Sequence, residues 1–190
     1  MRFLDALLGR TRPVQPNLDA LFAVPAAATT LQAALDLVPT GVGAVCFKPA
    51  EGQAATQAQT DALSLLAADR ATHVAVSQDE YGYAWIASRH ESGDLAGLVT
   101  DLHAVNSTLA DAGYGPSLLC TIIGFVGAAD TRRLGLVYLF KRGTFYPFAP
   151  SGAQTRDNAL ELQTRAHLHG ELPVEPDLGR WFPIWTTPAL

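Results

Sequence analysis

Cysteine, charge and long apolar runs are all scarce in this chain. Its two cysteines, Cys46 and Cys120, are too few for the disulfide framework of a small secreted domain. Each lies inside an apolar, strand-like run, so both are expected to be reduced core residues. The start MRFLDALLGR carries Asp5 and only a few apolar residues before Gly9, too short for the apolar stretch of a signal sequence, and the expected location is cytoplasmic. No run is expected to approach the ~18–20 apolar residues of a membrane span. Charged residues make up 16% of the 190 and hydrophobic residues 48%, a balance that argues for a packed core and against disorder. The formal net charge of -5 opposes general attraction to nucleic acid, because that binding runs on phosphate neutralisation. The basic pairs Arg10/Arg12, Arg132/Arg133 and Lys141/Arg142 read as solvated element ends.

The motifs of common chemistries are missing as well. There is no G-x-S-x-G nucleophile elbow, and Cys120 sits where a thiolate would be destabilised. Gly41-x-Gly43 enters a strand, whereas a phosphate cradle leaves a strand and opens a helix. His167 and His169 fall at a helix end, and residues two apart on a helix point about 200° apart, so they are poorly placed to share a metal. The same spacing weakens Asp101 and His103 as an acid–base pair. Asp79 and Glu80 are adjacent in a turn and read as solvating it. No catalytic residue, metal site or cofactor is expected.

What is there reads as one α+β domain over residues 1–190. An amphipathic segment, 1–12, places Phe3, Leu4, Leu7 and Leu8 on one helical face. It either docks on the body or meets a partner helix or the inner membrane surface. Asn17 is placed to cap a helix ending near Pro25, with a second helix from Thr29 to Leu37 that stops before Pro39. A strand over Val42–Lys48, a helix over Gln53–Asp69 and a hairpin of His73–Gln78 with Tyr83–Arg89 follow. Asp94 then caps the clearest helix, whose apolar stripe runs through Leu95, Leu98, Val99, Leu102, Val105 and Leu109, with Thr100, His103, Asn106 and Asp111 on the opposite face. Strands Leu118–Val126 and Leu134–Phe140, a helix from Asp157 to His167 and an extended aromatic tail at 171–190 complete the order. The expected fold is an antiparallel sheet packed against a central helix, with helices at both ends.

The most unusual stretch is KRGTFYPFAP, from Lys141 to Pro150, which sets three rings and two cations among prolines. Pro147 argues against ordinary strand pairing. Either Phe145, Tyr146 and Phe148 fold over the sheet edge and pack internally, or, with Lys141 and Arg142, they form a partner-binding surface.

Several segments together resemble the family of proteins associated with phage-shock protein A, PspAB. They are MRFLDALLGR, NLDALFAVPAA, TGVGAVCFKPAEG, DEYGYAW, LVTDLHAVNSTLADAGYGPSLLC, LVYLFKRGTFYPFAP, RDNALELQ and PVEPDLGRWFPIW. The resemblance spans nearly the whole chain and implies a non-enzymatic adaptor or chaperone-like protein. It would act in envelope stress with a coiled-coil, membrane-remodelling partner. The element order is also similar to type III secretion chaperones and YbjN-like proteins. A shallow aromatic face, repeated by two-fold symmetry in a homodimer, would favour the adaptor. Two rival readings stand beside it. A small enzyme would bring Asp101, His103 and Arg142 together in a cleft, and an apolar-ligand module would hold a pocket beneath KRGTFYPFAP.

Overall fold

The computed structural model describes residues 17–49 and 74–190. The segment 1–12 and the helix expected over 53–69 lie outside the described residues. Leu18–Ala23 forms a tight 3-10 turn that passes straight into α1 (Val24–Leu35). Pro25 therefore starts this helix instead of ending one, because a first-turn residue needs no amide donor. Asn17 makes no side-chain cap bond. Asp36 then turns the chain in a left-handed conformation, φ 56°, tolerated by its short polar side chain.

The strand β1 (Leu37–Phe47) follows at once, five residues before its expected start at Val42. Pro39 is inside it, next to a register shift between Pro39 and Gly43, the kind of irregularity where a strand accommodates proline. Gly41 takes φ 77°, and a side chain there would run into the carbonyl oxygen of His90. The hairpin β2 (Val74–Gln78) and β3 (Ala84–Arg89) is as expected. So is α2 (Leu95–Leu109), capped by the Asp94 carboxylate, which accepts the Gly97 N–H at 3.0 Å. After Gly113 (φ 91°) come β4 (Leu118–Gly127), β5 (Arg133–Leu139), β6 (Thr144–Phe148) and α3 (Asn158–Leu168), which Asp157 caps.

The six strands of the described residues form one open antiparallel sheet in the order β2-β3-β1-β4-β5-β6. The molecule has the expected α+β architecture. Both faces of the central strands are covered, by different means. On one face α1 and α2 bury Leu31, Leu98, Leu102, Val105 and Leu109 against Val45, Phe47, Ile123 and Phe125. Asn106, expected on the exposed face, is fully buried here. Its Nδ2 donates to the Leu102 carbonyl and to Thr121 Oγ1 on β4, both at 2.8 Å, which satisfies the two donors, while its Oδ1 is buried with no partner among the described residues.

The helical stretch Leu18–Leu35 corrects another expectation. At 18 residues and mean hydropathy 1.4 it is long and apolar enough, by length and composition alone, to cross a membrane. In the fold its Leu21, Val24, Ala27, Ala28 and Leu31 belong to the core.

The second face is covered by the end of the chain. Trp181, Ile184, Trp185, Ala189 and Leu190 lie over Val42, Ala44, Cys46, Trp85, Cys120, Ile122 and Val137. The tail backbone comes so close to β4 that a side chain at Gly124 would meet the Ala189 carbonyl.

Candidate functional site: an aromatic pocket under the C-terminal tail

Strand periodicity builds this site. On β3 and the turn before it, Tyr81, Tyr83 and Trp85 recur every second residue, as side chains on one face of a strand do. Asp79 shapes the turn. Its Oδ1 accepts the amides of Tyr81 (2.9 Å) and Tyr83 (3.0 Å), while Oδ2 accepts Trp85 Nε1 (2.9 Å) and Thr186 Oγ1 from the tail (3.2 Å). Burial pushes this carboxyl up, but the four donors outweigh it and hold Asp79 below the ordinary carboxylate range. The sequence suggested only solvation of a turn; the structure makes Asp79 the clasp between turn and tail.

The floor comes from the sheet. Cys46 on β1 and Cys120 on β4 are register partners, both buried and both free thiols. The hydrogen bond with Cys120, together with burial, pushes the Cys46 thiol far above its ordinary value. Tyr146 on β6 closes the floor, its hydroxyl donating to the Phe182 carbonyl at 2.8 Å, and burial pushes that phenol up as well. Phe182, Pro183, Ile184 and Trp185 of the tail form the opposite wall. Between these surfaces is a cavity of about 530 Å³, lined almost entirely by apolar atoms. Tyr81 (61% exposed) and Phe182 (60% exposed) stand at its rim.

The tail is pinned on either side of this arch. Glu175, with a fully buried side chain, accepts Arg142 Nε (2.6 Å), Thr144 Oγ1 (2.8 Å) and the Asp177 amide (3.2 Å). Arg156 donates to the Trp181 carbonyl (2.6 Å) and to Glu161 (2.8 Å), and its guanidinium lies 5.4 Å from the Phe148 ring centroid. Trp185 meets Phe148 edge-on at 5.1 Å.

The five residues of the expected partner surface are dispersed by this arrangement. Pro147 does not keep KRGTFYPFAP out of the sheet. The segment forms edge strand β6, paired with β5. The outward amide and carbonyl of Phe145 bond to Pro173 and Glu175, and Pro147, two residues on, points its missing donor the same way, off the β5 ladder. Phe145 goes to the helical face beside Tyr138, and Tyr146 and Phe148 to the tail face; all three rings are buried and present no surface. Arg142 is engaged by Glu175, and Lys141 is the one exposed member of the five. Of that set, only Tyr146 lines the pocket.

Asp101, His103 and Arg142 do not converge either. Asp101 accepts Ser88 Oγ and contacts His90 Nε2 at 2.8 Å, whereas His103 packs on Phe22 and sits 3.4 Å from Asp19.

The family model described as PspAB, PspA associated protein B, matches residues 1–189. The chain belongs to that family. No curated protein and no solved structure matches it, so the likeness to type III secretion chaperones rests on element order alone. For a PspAB protein, the sequence reading of an apolar pocket beneath KRGTFYPFAP meets this site at Tyr146 alone; the tail-covered sheet face and the Tyr81–Trp85 wall are what sequence reasoning missed. The alternation of Tyr81, Tyr83 and Trp85, facing a tail with Phe182 and Trp185, was the available signal.

Proposed function

We propose that this PspAB protein is a non-enzymatic, chaperone-like adaptor of the phage-shock system. It works in the cytoplasm, at the inner face of the membrane, in the envelope-stress response. Its task is to hold a segment of a coiled-coil PspA partner in the aromatic pocket. One observation carries this reading: a concave apolar cavity of about 530 Å³ opens beside two large rings, Tyr81 and Phe182, that the fold leaves uncovered. Aromatic side chains have few rotatable bonds, so they bind at small entropic cost and are enriched at binding hot spots. The family name supplies the partner.

The test is calorimetric titration of the full chain with PspA from the same host. A Tyr81→Ala, Phe182→Ala double variant removes two exposed rings and is expected to keep the wild-type circular dichroism spectrum. Its affinity should fall at least tenfold, about 1.4 kcal/mol. Unchanged affinity in the folded variant refutes the reading.

A further inference from the structure

The charge distribution around the pocket says what kind of group it suits. Six rings line it, Tyr81, Tyr83, Trp85, Tyr146, Phe182 and Trp185, and ring faces carry partial negative charge. Among the described residues, Asp79 is the only formally charged member of the lining, and no Lys or Arg is part of it. Four other carboxylates tied into the fold have arginines beside them: Glu175 has Arg142, Glu161 has Arg156, Asp130 has Arg132 and Asp177 has Arg180. The hydrogen-bond donors to Asp79, by contrast, are two backbone amides, an indole and a hydroxyl, all neutral. They fix the carboxylate in place and leave its charge uncompensated. With both oxygens already accepting two bonds each, Asp79 acts on an occupant as a stationary negative charge.

We propose that the pocket takes an organic cation, an ammonium or guanidinium group on an apolar body, presented by the partner as a lysine or arginine side chain. The inference deepens the proposed function and rests on the pocket being the partner site. An anion would meet like charge and the negative ring faces. A neutral apolar group would fill the space but shield Asp79 from water with nothing in exchange. A cation with a hydrocarbon surface satisfies rings and carboxylate together, the combination by which aromatic cages hold quaternary ammonium groups.

The experiment uses the full chain and two probes of nearly equal shape, choline and the neutral 3,3-dimethyl-1-butanol. Binding is followed by the fluorescence of Trp85 and Trp185 in the pocket wall. Choline should bind at least tenfold more tightly than the alcohol. Tyr81→Ala, an exposed position, should reduce that preference without changing the melting temperature, and Asp79→Asn should reduce it further. Equal binding of the two probes to the wild-type protein, or binding of neither, overturns the proposal. A second arm titrates PspA in the presence of saturating choline. Displacement places the cation on the partner. Preferential choline binding without displacement overturns the lysine or arginine assignment and leaves a free cation as the ligand. If the Tyr81→Ala, Phe182→Ala variant loses PspA while the two probes bind equally, the cation inference fails and the adaptor reading stands.

Discussion

Replacing Glu175 with alanine is expected to destabilise the fold by about 3 kcal/mol. The side chain is fully buried, and it accepts Arg142, the Thr144 hydroxyl and the Asp177 amide. Removing one member of a buried ion pair typically costs ~3–5 kcal/mol, because the other charge is left without its partner. Arg142 keeps 37% of its side chain exposed and can return to water, which places the loss at the lower end of that range. For a domain of this size the melting temperature should drop by roughly 6–12 °C. The pH dependence gives a second readout. Burial pushes the Glu175 carboxyl up, but Arg142, Thr144 and the Asp177 amide together hold it below its ordinary value of 4.5. A carboxyl depressed in the folded state contributes its stability above the unfolded pKa and loses it as pH falls through the folded value. Urea melts of wild type and variant should therefore differ by a constant amount near neutrality, and the gap should begin to close below about pH 5. A gap under about half a kcal/mol at pH 7, or one that widens with acid, would show that this contact does not hold the tail.

Two further outcomes test the packing. Leu102→Ala removes a fully buried side chain from the inner face of α2 and should cost roughly 2–5 kcal/mol in denaturant melts, whereas a loss below about half a kcal/mol contradicts that face. Cys46 and Cys120 should react slowly with a thiol reagent in the native protein and both react on denaturation, because burial and their mutual hydrogen bond keep the Cys46 thiol protonated; rapid native labelling would show the pocket floor to be open.

The parts of the fold legible in the sequence are those set by local chemistry. Asp94 before an i, i+3, i+4 stripe, Gly113 after it, and the turn at Asp79–Gly82 each announced an element that the structure contains. The errors share one origin, the reading of a residue by its average behaviour. Pro25 and Pro39 look like stops, yet one opens α1 and the other lies beside a strand irregularity. Asn106, being polar, reads as solvent-facing, and only the packing of β4 behind α2 brings Thr121 to meet it. For β6 the alternation itself was visible, Phe145 against Tyr146. The covers over its two faces were not, since one is a tail more than thirty residues further on.

That tail explains why the candidate site escaped a reading by segments. The pocket draws on Cys46, Asp79–Trp85, Leu119–Cys120, Leu139, Tyr146 and Phe182–Thr186, so no contiguous stretch contains it. Its existence depends on where the tail is fastened. Glu175 fixes the tail to Arg142 at the β5–β6 turn, Arg156 fixes it at the Trp181 carbonyl, and Thr186 reaches Asp79 on the far side of the sheet. Between the last two attachments the chain passes through Pro183, which has no amide to donate, and arches over Cys46 and Cys120. Each attachment is a polar bond between distant parts of the sequence, and the bond that closes the arch is made by Asp79, the same carboxylate that gives the pocket its charge. Asp79, with both oxygens occupied, thus fastens the tail and charges the pocket at once.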